Sequence, residues 1–153
     1  MKRVYVNEKW CLGCHLCEYY CAFAGTGQGD ADKGAAAKGG MALALKGIKI
    51  NPKIRIEEKD GISFAVSCRH CKEPLCVKGC ITGALTIADG VITINHDKCV
   101  SCYTCILSCP YGAVSPSPDG AVQKCELCVS TASGTPACVR GCPNNAIVFE
   151  ERG

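Results

Sequence analysis

The sequence is poor in aromatic and charged residues, and it has no long apolar run. Aromatic residues make up 6% and charged residues 20% of its 153 residues. No apolar run approaches the ~20 residues that span a bilayer, so we predict no membrane span. The basic start Met1-Lys2-Arg3-Val4 leads into no apolar segment and no cleavage site, unlike a secretory signal. We therefore expect a cytoplasmic protein in a reducing compartment, where disulfide frameworks do not persist.

Cysteine, in contrast, is abundant, and its 16 copies fall into four groups of four with none left over. Motifs I and III share the spacing C-x2-C-x2-C-x3-C, motif II has C-x2-C-x4-C-x3-C, and motif IV has C-x2-C-x9-C-x3-C. The members are, for motif I, Cys11, Cys14, Cys17 and Cys21; for motif II, Cys68, Cys71, Cys76 and Cys80; for motif III, Cys99, Cys102, Cys105 and Cys109; and for motif IV, Cys125, Cys128, Cys138 and Cys142. Cysteine at this level indicates either a disulfide scaffold or a metal protein.

The spacing of motifs I and III is that of the bacterial ferredoxin run, in which three cysteines bind one [4Fe–4S] cluster and the fourth binds another. At four thiolates per cluster, the 16 cysteines predict four [4Fe–4S] clusters. Structural zinc also uses C-x2-C pairs, but zinc sites seldom use three cysteines in succession at this spacing. Disulfides are disfavoured by the reducing compartment.

The chain also repeats itself. Pro74-Leu75-Cys76-Val77-Lys78-Gly79-Cys80 aligns with Pro136-Ala137-Cys138-Val139-Arg140-Gly141-Cys142, and Asn7 and Asn95 each stand four residues before the first cysteine of motifs I and III. The motif order I–II, III–IV therefore predicts a duplicated two-motif unit.

Short strand patterns lie between the motifs. Ile54–Glu57 and Ile62–Val66 flank Asp60-Gly61, Leu85–Ile87 and Val91–Ile94 flank Asp89-Gly90, and a weaker hairpin pairs Ala113–Ser115 with Ala121–Gln123. We predict a helical turn after the last cysteine of each motif. The predicted fold class is α+β, built from small ferredoxin-like modules.

Residues 22–52 follow motif I, contain no cysteine and are rich in glycine and alanine. They predict an insertion, either a surface loop or a segment ordered against a partner subunit.

With all four motifs in this order, the chain resembles the four-cluster iron–sulfur electron-transfer subunits. These serve the dimethyl sulfoxide reductase group, hydrogenase and formate complexes, carbon monoxide dehydrogenase and tungsten aldehyde oxidoreductases of anaerobic metabolism. The resemblance covers nearly the whole chain except the insertion.

The resemblance implies crossed ligands: outer motifs I and IV share two clusters, and inner motifs II and III share two. Cluster 1 would then use Cys11, Cys14, Cys17 and Cys142; cluster 2, Cys21, Cys125, Cys128 and Cys138; cluster 3, Cys68, Cys71, Cys76 and Cys109; and cluster 4, Cys80, Cys99, Cys102 and Cys105. It also implies one unit of two interleaved modules, an outer one of residues 1–21 and 122–153 and an inner one of residues 62–121. The family places proline directly after the fourth cysteine of a motif. Pro110 and Pro143 keep this proline, whereas Ala22 and Ile81 replace it, so the resemblance does not predict the local turns at Ala22 and Ile81.

No nucleophile–base pair, phosphate loop or dinucleotide fingerprint is present, so we do not expect catalysis by this chain.

We expect an electron-transfer subunit that serves a catalytic oxidoreductase. The favoured catalytic partners are of the carbon monoxide dehydrogenase or tungsten aldehyde oxidoreductase type, followed by hydrogenase and formate dehydrogenase. A flavin subunit or a soluble ferredoxin is a further expected partner. The alternatives are a freely diffusing polyferredoxin and a non-redox metal scaffold or cluster sensor. No basic block predicts nucleic-acid binding. Six basic residues lie beside the cysteines, where we expect them to compensate cluster charge and tune potential or to dock a redox partner, and the two roles are compatible: Arg69, Lys72, Lys78, Lys98, Lys124 and Arg140.

Overall fold

A computed structural model of the chain describes residues 1–25, 50–129 and 134–152. Most of the predicted insertion, residues 26–49, lies outside the described residues. The strands are β1 (Arg3–Val6), β2 (Arg55–Lys59), β3 (Ile62–Val66), β4 (Leu85–Ala88), β5 (Val91–Ile94), β6 (Ser115–Pro116), β7 (Val122–Gln123) and β8 (Ile147–Glu150). The α-helices are α1 (Leu16–Gly25), α2 (Leu75–Lys78), α3 (Thr104–Ser108) and α4 (Ala137–Gly141), and 3-10 turns span Glu8–Trp10 and His96–Lys98. The predicted mixture of helices and strands is confirmed.

All three predicted hairpins form, with small shifts at their ends. The β2–β3 and β4–β5 strands turn at Asp60-Gly61 and Asp89-Gly90, and all four turn residues have positive φ, between 49° and 79°. Two successive residues of positive φ make the type I′ turn that suits the right-handed twist of a two-stranded ribbon. β2 ends at Lys59, two residues beyond the predicted end at Glu57, and the β6–β7 pair is only two residues long.

The fourth two-stranded sheet joins the two ends of the described chain. β1 pairs antiparallel with β8, Val4 facing Phe149 and Val6 facing Ile147 in register. Beyond this sheet, the Asn7 amide donates to the Ala146 carbonyl at 2.7 Å, and the Asn7 side chain accepts from Lys9 N–H and so caps the first 3-10 turn. Asn95 repeats both contacts beside the β4–β5 sheet, donating to the Ala84 carbonyl at 2.8 Å and capping the second turn.

The prediction of a helical turn after the last cysteine is confirmed in motif I and wrong in motifs II, III and IV. There, α2, α3 and α4 each begin one residue before the third cysteine and end before the fourth. Cys109 and Cys142 are extended (φ −78°, ψ 112° and φ −80°, ψ 112°) because Pro110 and Pro143 exclude helical backbone from the residue before them. α1 has Ala22 instead of a proline, so it continues through Cys21 to Gly25.

The helices pack in pairs, α1 on α4 and α2 on α3. Gly141 of α4 lies against the ring of Tyr20, and a Cβ there would overlap the ring. Gly79, just after α2, is less crowded, since a Cβ there would lie 3.5 Å from Thr104. Two groups of buried side chains form the core. One lies beside β1, β3 and β8 and contains Val4, Ile54 and Ile147; the other lies beside β4 and β5 and contains Leu85 and Ile92.

Candidate metal centres

The second cysteine of every motif follows a residue in the left-handed backbone region. These residues are Gly13, His70, Ser101 and Leu127, with φ between 46° and 65°. The turn reverses the chain between the first two cysteines, so both thiols point to one side. Only Gly13 carries an obvious sequence signal for this conformation, since His, Ser and Leu adopt it at a cost. Three further positions, each three residues after a fourth cysteine, share the conformation, and their residue types do signal it: Gly83, Gly112 and Asn145.

Two of the cysteine sets implied by the resemblance line cavities of their own. Cys11, Cys14, Cys17 and Cys142 line one, a small cavity of about 20 Å³ with apolar walls from Ile56 and Ile147. Cys80, Cys99, Cys102 and Cys105 line a second of the same volume, with walls from Leu85, Ile94 and Val122. Each cavity joins three cysteines of one motif to the fourth cysteine of another.

The other two sets are brought together in the interior. Burial raises the pKa of Cys138 well above its usual range, and the nearby thiols of Cys21, Cys125 and Cys128 raise it further. Burial likewise raises the pKa of Cys76, with additional effects from Cys68 and Cys109, and Cys71 adds to the raised pKa of Cys68. All 16 cysteines are free thiols, so the disulfide alternative is not what the structure forms.

The thiols sit in two kinds of environment. Burial raises the pKa of Cys17 and of Cys125 to about 12. Cys102 is exposed, and hydrogen bonds from the backbone and side chain of Thr104 lower its pKa. Desolvation by itself would raise the pKa of Cys80, but hydrogen bonds from Leu85 and Thr82 outweigh it and lower the pKa.

Backbone amides donate hydrogen bonds to several sulfurs. The donors are Lys53 to Cys21 at 3.2 Å, Ala146 to Cys142 at 3.3 Å, Leu127 to Cys125 at 3.4 Å and His70 to Cys68 at 3.5 Å. Such bonds favour the thiolate, which is the form that binds iron, and they tune the potential of a bound cluster.

Of the six basic residues expected to compensate charge, Lys124 alone is buried, with 1% of its surface exposed. Its ammonium donates to the carbonyl of Ile92 and, at 2.7 Å, to that of Cys125. Within the described part of the chain, no carboxylate pairs with it. It lowers the pKa values of Cys68 and Cys76, both of which burial raises. Lys124 is thus an internal positive charge facing the Cys68 set.

His70 also faces the interior and is fully buried. Its Nδ1 accepts a hydrogen bond from Ile92 N–H at 3.0 Å, so the ring proton is on Nε2, which has no partner among the described residues. Burial, with Lys124 and Arg3 nearby, lowers the pKa of His70 to about 3. The ring is therefore neutral, and its Nε2–H is a buried donor.

The donor sets fit iron–sulfur clusters on chemical grounds. Each set is four thiols, which are the ligands that Cys₄ cubanes use. Within residues 1–25, 50–129 and 134–152, no three Cys, His, Asp or Glu side chains converge on a position for one metal ion.

Comparison with known proteins gives the family. The profile of a 4Fe-4S dicluster domain matches residues 60–152, and that of a 4Fe-4S binding domain matches residues 8–24. The chain belongs to the 4Fe-4S dicluster family. This iron–sulfur protein is 33% identical to an "Iron-sulfur protein" of Rhodospirillum rubrum, over 94% of this chain and 79% of the relative.

Two further relatives carry more specific names. The "Formate dehydrogenase iron-sulfur subunit" of Haemophilus influenzae is 32% identical over 94% of this chain, which spans 49% of that subunit. The "Electron transport protein HydN" of Escherichia coli K12 is 28% identical over 93% of this chain and 83% of the relative. The family and its relatives identify an electron-transfer iron–sulfur protein with [4Fe–4S] clusters. None of its described helices is both long and apolar enough to cross a lipid bilayer.

Proposed function

We propose that this protein binds four [4Fe–4S] clusters and relays electrons through them for a catalytic subunit. The observation that carries the proposal is the convergence of thiols from different motifs: Cys142 lines one cavity with Cys11, Cys14 and Cys17, and Cys80 lines another with Cys99, Cys102 and Cys105, as two of the implied quartets require. A bound cubane supplies one-electron redox chemistry. The chain contributes thiolate ligands, amide donors to sulfur and an internal lysine.

The contacts between quartets support the order 1–2–3–4 for the relay. Cys17 of cluster 1 is among the thiols that raise the pKa of Cys138 of cluster 2, after the effect of burial. Cys68 of cluster 3 affects Cys125 of cluster 2 in the same way. Cys76 of cluster 3 shares a buried core with Cys105 of cluster 4. Neighbouring clusters would thus be separated by single layers of side chains.

We further propose two interleaved ferredoxin-like modules with the boundaries predicted above. In the inner module, the strand after motif II (β4) pairs with the strand before motif III (β5). In the outer module, the strand after motif IV (β8) pairs with the strand before motif I (β1). The matching roles of Asn7 and Asn95 support this duplication.

The partner is proposed from the relatives. A relative named as a formate dehydrogenase subunit favours a catalytic subunit of that type, ahead of the carbon monoxide dehydrogenase, tungsten aldehyde oxidoreductase and hydrogenase types. A flavin subunit or soluble ferredoxin would exchange electrons at the other end of the relay. We propose that this chain is not itself an enzyme. Sixteen free thiols suit a reducing compartment, so we place the complex in the cytoplasm.

Two measurements test the proposal on anaerobically purified protein. Iron and sulfide analysis should give about sixteen irons per chain, and fewer than about twelve would contradict four cubanes. Gel filtration of native extract should show the chain eluting with a larger subunit. Elution as a lone 16.1 kDa species would favour the freely diffusing polyferredoxin instead.

A further inference from the structure

A groove of about 720 Å³ lies apart from the two cysteine-lined cavities. Its walls come from β1 and β3, its floor from the start of motif II and its rim from several basic and aromatic side chains. Of the 16 cysteines, Cys71 alone lines it. The relay proposed above uses Cys71 as a ligand but leaves the groove without a role.

Both walls of the groove are strand edges. Arg3–Val6 and Phe64–Ser67 line it as two runs of consecutive residues. Because side chains along a strand alternate between faces, a consecutive run meets a cavity through its backbone edge. Val4 and Ala65 show this directly, since their side chains are buried in the core while the residues still line the groove.

These edges are unpaired in the part of the chain that the structure describes. There, β1 pairs with β8 alone and β3 with β2 alone, and neither β8 nor β2 lines the groove. An unpaired edge presents a row of backbone N–H and C=O groups that can bond an added strand. Two such edges facing one groove are suited to an extended segment.

The rim of the groove is strongly basic. Arg3, Arg69, Lys72 and Arg152 line it with the carboxylate of Glu8, and only Arg152 among these four bases has a carboxylate partner in the described residues, donating to Glu150 at 2.6 Å. The Arg69 guanidinium lies 4.6 Å from the centre of the Tyr111 ring and that of Arg152 lies 4.2 Å from the Tyr5 ring, so both are held in place by cation–π contacts. Because Arg69, Lys72 and Arg152 are exposed at the rim, they suit a long acidic surface better than a small enclosed anion.

We propose that this groove docks an extended, acidic segment of the redox partner, which adds as a strand between β1 and β3 beside the Cys71 thiolate. Docking there places this segment beside Cys71, a ligand of the third cluster in the proposed relay. The residues of this chain outside the described ranges are a poor match, because residues 26–49 carry four Lys against two Asp and residues 130–133 carry no charge. The inference rests on the proposed function, which supplies the partner.

Hydrogen exchange on the native complex tests the docking mode. A tagged chain would be expressed in the source cells, purified anaerobically at low salt with its catalytic subunit, and compared with the isolated holoprotein by deuterium-exchange mass spectrometry. We expect amides of residues 3–6 and 64–67 to exchange at least about tenfold more slowly in the complex, because strand addition protects edge amides. A complex in which both runs exchange as fast as in the isolated chain would overturn the inference.

Charge reversal tests the acidic character of the segment. Arg69→Glu with Lys72→Glu should weaken the affinity for the catalytic subunit by about tenfold or more at low salt and reduce its salt dependence. The matched control is Lys59→Glu with Lys98→Glu, which makes the same charge change at exposed residues outside the groove and should leave the affinity within about twofold. Equal effects of the two pairs would overturn the acidic assignment.

A chain that never copurifies with a subunit contradicts the proposed function itself, whereas a complex with an unprotected groove contradicts the docking mode alone.

Discussion

Two regions of the molecule follow the same local plan of turns, strands and helices in different surroundings. The outer region consists of residues 3–25 and 125–150, and the inner region consists of residues 68–109. In both, an asparagine caps a 3-10 turn before a C-x2-C-x2-C-x3-C motif and bonds the residue that precedes the paired strand. In both, a short helix carries the third cysteine of the partner motif. The local plan therefore follows from motif spacing and capping, which the two regions share.

Burial distinguishes cluster 2 of the outer region from cluster 4 of the inner region. In the outer region, burial raises the pKa values of Cys21, Cys125 and Cys138. In the inner region, burial also raises those of Cys68, Cys76 and Cys105, but hydrogen bonds lower those of Cys80 and Cys102, two of the cluster 4 ligands. Reduction of a cubane adds one negative charge, which a buried site disfavours and a hydrogen-bonded, exposed site favours. We therefore expect cluster 2 to have a lower potential than cluster 4.

The largest expected difference comes from removing one ligand in each region. Cys138→Ser and Cys102→Ser should each lower the iron content by about four atoms per chain. Cys138 is 5% exposed, so its replacement also leaves a buried hydroxyl without a partner, which costs about 1–3 kcal/mol. We expect a lower urea midpoint for Cys138→Ser than for Cys102→Ser, measured by circular dichroism with iron analysis. Equal midpoints would show that burial does not distinguish the two quartets.

A smaller effect is expected from the internal lysine. Lys124→Met should make the potential of the cluster on Cys68, Cys71, Cys76 and Cys109 more negative, because a buried positive charge facing it is lost. The shift is on the order of 50–100 mV, measured by redox titration followed with electron paramagnetic resonance.

Two variants control for packing in that experiment. Lys124→Arg keeps the charge and should largely restore the potential, while Lys98→Met removes an exposed charge beside Cys99 and should shift little. Full iron content in Lys124→Met with all four potentials unchanged would contradict the electrostatic role of the ammonium.

The smallest effect is expected at an exposed thiol. Thr104→Val keeps the side-chain shape but removes the hydroxyl that helps to lower the pKa of Cys102. We expect the potential of cluster 4 to become more negative. This shift should be smaller than the shift of cluster 3 in Lys124→Met, because the solvent-exposed sulfur can accept a hydrogen bond from water instead. Thr86→Val is the matched control, because its hydroxyl bonds Thr93 within the β4–β5 sheet. A shift as large in Thr86→Val would mean that the hydrogen bond to Cys102 has no specific effect.

Local features of this fold could be predicted well from sequence. Asp-Gly pairs located two hairpins, because both residues tolerate positive φ. Helix placement was wrong in motifs III and IV because the prediction put a helical turn after the fourth cysteine, although Pro110 and Pro143 require extended backbone at that cysteine. The left-handed turns at His70, Ser101 and Leu127 could not be predicted, since none of these residues favours that conformation by itself.

The sequence alone determined the number of thiols, their spacing, the family and the hairpin turns, because each depends on residues within a few positions of one another. Tertiary structure alone decided which thiols meet: Cys142 shares a cavity with Cys11 through the β1–β8 sheet, which joins residues more than a hundred positions apart. It also decided that Lys124 is internal while Lys72 and Lys98 are exposed, and that two unpaired edges face one groove. Burial and convergence are properties of long-range packing, and motif spacing does not encode them.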